Sequence, residues 1–382
     1  MEKRTRRGFA AACLIAIAAL AGCDNPPAVV RIGVAQPMSG PLAALGQDMH
    51  NGVKLAVDEL NKGGFKIKGK PVTLEIVAVD DRASVDTGKQ VAQQLVDAGV
   101  VAVVGHLNSG VSIATAPIYG DKHIAQLAIS TNPKYTELGL PTTFRLVAND
   151  TLQAKAIGSF AAAQLHADKY AVLDDGTPYG KGLADGAAEQ LKKAGKQLTL
   201  RQSLDDKTTA FDALAGKLKD AGIEAIVSTL NDFQVVALAQ SLQKVGHTNV
   251  SVLGGDTLKT PTGLKAAALL QGGLYASSPI LEPREFAAGA RFLEAYRAAF
   301  KTEPAYGGHY SYDAMQVLAG AMKRAESAKP EAIVQALHAV DGYAPVTGSM
   351  KFDEKGEQRY GTISVYLARN GLWESQVRSD NW

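Results

Sequence analysis

The 382-residue chain is 46% hydrophobic and 20% charged, an ordinary globular composition with length for two domains, each large enough for its own core. The formal net charge is +2, but Lys3, Arg4, Arg6 and Arg7 against Glu2 place +3 in the first 22 residues and leave −1 for the rest. No basic surface remains to suggest nucleic acid.

The chain begins with a basic stretch and the apolar run Phe9 to Leu20. That run falls short of the ~20 residues a helix needs to span a bilayer, so residues 1–22 read as an export leader. The leader ends in "LAGC", Leu20 to Cys23, which resembles the lipobox of bacterial lipoproteins and predicts lipidation at Cys23. "TRRGFA", Thr5 to Ala10, resembles a twin-arginine signal, and the choice between that route and general secretion stays open. Cys13 and Cys23 are the only cysteines, so the body has none for a disulfide, a thiolate metal site or a thiol nucleophile.

After the spacer 23–28, strand and helix patterns alternate. "VVRIGVA" (29–35) reads as a buried strand; Met49, Val53, Val57 and Leu60 form one helical stripe, stopped by Gly63 and Gly64. "VTLEIVAV" (72–79) is the next strand, followed by a helix through Val91, Leu95 and Val96 that ends at Gly99. Strands 100–104 and 124–129 complete a first set. A second set begins near Asp150: a helix to about 166, strand 170–174, a helix after Gly182 and strand 197–201. It continues with a helix through Phe211 to Leu218, strand 224–230, a helix over 233–245 and strand 250–254. Helices near 284–300, 307–324 and 330–339 and a strand at 362–368 follow, too few for a third domain. Strands separated by helix-length segments imply right-handed βαβ units, and two sets imply two α/β lobes completed by a returning tail.

"GHLNSG", residues 105–110, sets a histidine and a serine beside the end of a strand. A hydrolase built on Ser109 and His106 is one reading, although no G-x-S-x-G turn surrounds the serine. "GTPYGKG" (176–182) has the wrong glycine spacing for a phosphate-binding loop, and the seven histidines show no i, i+4 pairing for a metal. The carboxylate pairs Asp80-Asp81, Asp174-Asp175 and Asp205-Asp206 read as solvated turns. The stronger reading is a holding site outside the carboxyl ends of parallel strands. Ser109 and the amides of a helix starting near Gly110 would grip a small carboxylate, with Thr131 of "ISTNP" (129–133) doing the same from the next strand. The alternative is that both are only turn and cap residues.

"IGVAQPMSGPLAALGQDMHNGVKLAVDELNKGG", "VDDRASVDTGKQVAQQLV", "VVGHLNSG", "TNPKYTE", "DDGTPYGKGLADG", "LGGDTL" and "HYSYDAM" run in order along the chain. Together they resemble the extracytoplasmic leucine/isoleucine/valine-binding proteins of ABC importers. The resemblance implies the type I periplasmic-binding-protein fold, α/β with two Rossmann-like parallel-sheet lobes joined by a three-segment hinge. It implies lobe 1 over 29–148 plus 277–348 and lobe 2 over 149–276 plus 349–382. The ligand carboxylate would lie against Ser109 and Thr131, the carbonyl of Ile129 would accept from its ammonium, and Ser130 would belong to the same ligand site. Tyr179 would cover the ligand and Asp256 would pair with the ammonium. Three positions depart from the family: Asn108 stands where relatives carry half of a disulfide, Leu45 replaces a tyrosine beside the side-chain pocket, and Asn231 or Asp232 replaces an aromatic residue.

The resulting expectation is a monomeric, lipid-anchored solute-binding protein on the periplasmic face of the inner membrane. It captures a small amino acid, branched-chain first, for an ABC permease, and is not an enzyme; it needs no cofactor or metal. Aromatic amino acids, amides, urea-like compounds and aromatic acids stay open as ligands, and a ligand-sensing receptor subunit stays open as a role.

Overall fold

The computed structural model describes Pro26 and residues 28–379; the expected leader and the lipidation at Cys23 lie outside the described residues. Strand β1 (Val29–Gln36) is buried on both faces from Ile32 onward because it lies inside a parallel sheet. It pairs on one side with β2 (Thr73–Asp80) and on the other with β3 (Ala102–Gly105). With β4 (Ala125–Ala128) and β5 (Thr143–Arg145) they form a five-stranded sheet ordered β2-β1-β3-β4-β5, parallel throughout.

Helices α1 (Ala43–Lys62), α2 (Val85–Asp97) and α3 (Ser109–Gly120) are the crossovers that parallel pairing requires. Ser84 caps α2 by accepting from the Thr87 amide. The buried residues Leu45, Met49 and Val53 lie four apart along α1 and dock on the sheet.

The second sheet is entered through α4 (Asp150–Gln164), with Asn149 at its N-cap. It contains β6 (Lys169–Asp174), β7 (Gln197–Ser203), β8 (Ala225–Ser228) and β9 (Ser251–Gly254), connected by α5 (Pro178–Lys193), α6 (Asp212–Asp220) and α7 (Asp232–Lys244). Strand β10 (Leu274–Ser278) joins in parallel. The chain then returns to the first lobe as α8 (Gly289–Phe300), α9 (Gly308–Ala325), α10 (Pro330–His338) and the hairpin β11 (Asp341–Ala344) to β12 (Gly348–Lys351). It crosses a last time to add β13 (Ser364–Arg369) and β14 (Leu372–Arg378) antiparallel, giving the order β14-β13-β10-β9-β8-β6-β7.

Three segments therefore pass between the sheets: after β5, after β10 and before β13. Ser277 and Ser278 pair within the second sheet, and residues 348–351 pair with β11, so the last two crossings lie slightly later than the expected 276/277 and 348/349. Helix α5 begins at Pro178 rather than after Gly182. The Thr177 hydroxyl accepts from the Gly180 amide and Pro178 needs no amide partner at the first helical position, so Gly180 and Gly182 of "GTPYGKG" are absorbed into the helix while Gly176 stays in the turn before it. Among the described residues no helix is long and apolar enough to cross a membrane.

Candidate functional site

A cavity of about 450 Å³ lies between the lobes, in the size range of small-molecule sites. It opens at the carboxyl ends of the strands, where helices start and their first amides have no intrahelical acceptor. The first lobe supplies the loops after β1, β2, β3 and β4; the second supplies those after β6, β7, β8 and β9.

The "GHLNSG" turn is shaped by Gly105, whose φ of +147° and position against the Ala35 carbonyl exclude any side chain. Ser109 opens α3 and lines the cavity with Asn108, Leu107, Gly110 and Val111. Its Oγ accepts from the Asn132 amide at 3.3 Å, which joins this turn to the one after β4. Ile129 and Thr131 line the same wall. The turn after β4 is fixed by the fully buried Arg145, whose guanidinium donates to the carbonyls of Ser130 and Asn132, to Thr136 and to the carboxylate of Glu357.

His106 is fully buried and does not serve Ser109. Its Nδ1 is 2.6 Å from Asp81 Oδ2 and its Nε2 3.1 Å from the Tyr119 hydroxyl. A carboxylate stands behind the imidazole as in a hydrolase triad, but the other ring nitrogen faces a tyrosine.

On the second lobe, Tyr179 lies in the first turn of α5 and Asn231 at the N-cap of α7, its Nδ2 donating to Asp175 Oδ2 at 3.3 Å. Burial pushes the Asp175 carboxyl up to about 6, although it accepts from Thr177. Asp256 follows β9 and is the hub of the floor. Its Oδ1 accepts from the Tyr179 hydroxyl at 2.8 Å and from Gln153 Nε2 at 3.2 Å; its Oδ2 accepts from the Tyr306 hydroxyl at 2.5 Å. Burial and the adjoining Asp256 charge hold both phenols well above the ordinary tyrosine range. Asp150, buried at the start of α4, is pushed up to about 8, first by burial and then by Asp256.

Seven of the expected residues thus meet at one cavity: Asn108, Ser109, Ile129, Thr131, Tyr179, Asn231 and Asp256. Two do not. Leu45 is packed in the first-lobe core, one turn beyond Leu42, which does line the cavity. Ser130 points away from it, its hydroxyl 2.6 Å from that of Ser112 and 3.2 Å from the His106 carbonyl. Asp232, offered as the alternative to Asn231, instead accepts from Thr260 at 2.6 Å.

Sequence reasoning missed Tyr306, just before α9, although "AYGGH" repeats the glycine-rich helix start that drew attention to Ser109. Asp48 places it: one carboxylate oxygen accepts from the amides of Tyr306 and Gly308, both at 2.8 Å. Among the described residues no group of three or more His, Cys, Asp or Glu could hold a metal.

The lobes also touch at the cavity mouth. Asn132 Nδ2 donates to the Pro178 carbonyl at 2.7 Å, and a Cβ on Gly110 would lie 3.2 Å from Pro178 Cδ. Two α/β lobes, three crossings and a cleft between strand ends form the frame onto which residues 29–371 match the family described as periplasmic binding protein. The chain belongs to that family. As a periplasmic binding protein it is 31% identical to Leu/Ile/Val-binding protein homolog 1 of Brucella abortus (strain 2308) over 372 residues, 97% of each chain. It is 28% identical, over 99% of its length and 100% of the relative's, to the leucine-, isoleucine-, valine-, threonine- and alanine-binding protein of Pseudomonas aeruginosa. It superposes on the branched-chain amino acid transporter substrate-binding protein of Streptococcus pneumoniae in complex with isoleucine. That match has a TM-score of 0.80 and 25% identity, over 92% of this chain and 99% of the other. The family is one of extracytoplasmic binders, and the type I fold expected from the motifs is the fold observed.

Proposed function

We propose that the protein captures a small L-amino acid between its lobes and delivers it to an ABC permease. One observation carries the reading: a buried carboxylate, Asp256, shares a cavity with Ser109, Thr131 and the unpaired amides at the start of α3. That arrangement suits a zwitterion. Its carboxylate replaces water at the helix start and hydroxyls, and its ammonium meets Asp256 and the carbonyl of Ile129. Tyr179 and Tyr306 hold Asp256 from opposite lobes, so a ligand on that carboxylate draws both lobes to it. Hinge closure follows from this without further machinery.

The named specificities of the Brucella and Pseudomonas relatives support an aliphatic amino acid as ligand. The buried Asp81–His106 pair, turned from Ser109, supports holding rather than hydrolysis. The reading extends to a monomer tethered through lipid on Cys23 to the periplasmic face of the inner membrane. Lobe limits near 148, after Ser278 and after Lys351 belong to the same proposal.

A thermal-shift series of L-amino acids followed by calorimetry tests it. A ligand at 100 times its Kd adds about 2.7 kcal/mol to stability, a clear rise in melting temperature. Silence from every L-amino acid, or turnover of amino-acid amides, would overturn the reading. Membrane fractionation of Cys23→Ala against the unaltered protein tests the tether, which predicts release of the variant.

A further inference from the structure

The carboxylate pair Asp80-Asp81 and His106 make no part of the proposed ligand contact, yet they sit directly behind it. In the first sheet β1 lies between β2 and β3, so the loops after β2 and β3 are not neighbours through the sheet. Asp81 immediately follows β2 and His106 immediately follows β3. Their 2.6 Å contact passes over the end of β1, and both side chains are fully buried. The Asp81 amide donates to the Gln36 carbonyl of β1, and its other carboxylate oxygen accepts from the Ala83 amide at 2.9 Å. Asp80 Oδ1 accepts from the amides of Met38 and Arg82, both at 2.9 Å, tying the loop after β1 to the loop after β2. Tyr119, on α3, closes the chain of contacts on the far nitrogen of His106. Each loop so tied lines the cavity: Ser39 and Leu42 after β1, Arg82 and Ser84 after β2, Asn108 and Ser109 after β3.

We propose that Asp80, Asp81 and His106 are positioning residues, a brace that sets three cavity-wall loops as one unit before ligand arrives. The proposal rests on the reading of this cavity as the ligand site. Loops ordered in advance do not draw their ordering cost from binding, so the brace acts on affinity without touching ligand. A buried pair also breaks as a unit, because removing one partner strands the other.

The test uses the exported, folded protein and three variants: His106→Phe, Asp81→Asn and Tyr119→Phe. Hydrogen exchange is followed without ligand in peptides covering residues 37–42, 82–88 and 106–111. L-leucine affinity is measured by calorimetry well below each melting temperature. His106→Phe is expected to speed exchange in all three loops together and to weaken L-leucine binding about 10-fold, within the reach of non-contacting positions. Asp81→Asn keeps an acceptor for the ring but turns its NH2 toward the Ala83 amide, and should weaken binding less than His106→Phe does, by about 3-fold. A lowered melting temperature with unchanged Kd would overturn the proposal, since a pair that only stabilises the fold leaves binding alone. So would faster exchange confined to 106–111. Tyr119→Phe, which deletes one hydroxyl, decides by the same two readouts if His106→Phe does not fold. Failure of the parent to bind L-leucine, with the exchange pattern as expected, would fault the ligand reading and leave the brace standing.

Discussion

The first-lobe wall of the cavity consists of strand-end loops fastened to one another by buried charged groups; the second-lobe wall centres on helix starts and a carboxylate, Asp256, that takes one of its donors from the other lobe. Asp80, Asp81, His106 and Arg145 each make their bonds within the first lobe or to the returning Glu357. Asp256 takes two donors from its own lobe, on α5 and α4, and a third from Tyr306 of the first lobe. One wall is complete in itself. The other acquires its key residue's third partner, Tyr306, only when the lobes come together, so the first lobe is suited to receive a ligand and the second to register it.

The strongest way to break this contrast is Arg145→Met. It strands Glu357 and the carbonyls of Ser130 and Asn132, and removal of one partner from a buried pair costs about 3–5 kcal/mol. A fall of that size in the unfolding free energy from urea titration is expected, whereas a loss under about 1 kcal/mol, the scale of a surface pair, would show the turn after β4 to be self-supporting.

Next in size is Asp256→Ala, which should weaken binding by roughly 2–5 kcal/mol, about 30- to several-thousand-fold in Kd. Calorimetry on the folded variant checks it, and unchanged affinity would remove Asp256 from the ligand's ammonium.

Asp150 sharpens the contrast through pH. Its carboxyl is raised from 3.8 to about 8, so between those values the folded protein holds a proton that the unfolded chain has lost. This contribution to stability is fully present below the unfolded value and declines by up to about 1.4 kcal/mol per pH unit as pH rises toward the folded one. Asp150→Asn should flatten that fall. Urea midpoints compared from pH 5 to 9 decide, and parallel curves for variant and parent would assign the dependence to other groups.

The smallest effect is expected at Asn231. Asn231→Ser keeps a capping hydroxyl on α7 and should change stability by less than about 1 kcal/mol while altering the order of preference among amino acids. An unaltered ranking would place the ligand side chain elsewhere in the cavity.

The same asymmetry decided what the sequence disclosed. Ser109 was legible because a glycine-flanked helix start after an apolar strand is a local signal, carried by six contiguous residues, and Thr131 because "ISTNP" offers a hydroxyl at the end of the next strand. Leu45 was assigned to the pocket by resemblance, although it lies four residues before Met49 and eight before Val53, the stripe that faces the core. Periodicity was the better guide there. Ser130 and Thr131 are adjacent, yet only Thr131 lines the cavity, because neighbours at an extended strand end point to opposite sides. Asp150 and Tyr306 were out of reach. What makes them matter is Asp256, more than 100 residues from one and 50 from the other, and no local pattern encodes that meeting. Asp80, Asp81 and His106 were visible as residue types, but their mutual contact crosses a strand and belongs to topology.

The Asn132–Pro178 contact bears on timing rather than strength. It is an exposed hydrogen bond between lobes at the lip of the cavity, and Asn132 is already oriented by accepting from the Lys134 amide. Such a bond is worth about 0.5–1.5 kcal/mol, a factor of roughly 2 to 10 in how long a ligand dwells. A carrier must hold its cargo long enough to travel and briefly enough to unload. A clasp that water attacks first, placed far from the buried floor, lets the dwell time be reset by one residue while the grip on the cargo's charges stays the same.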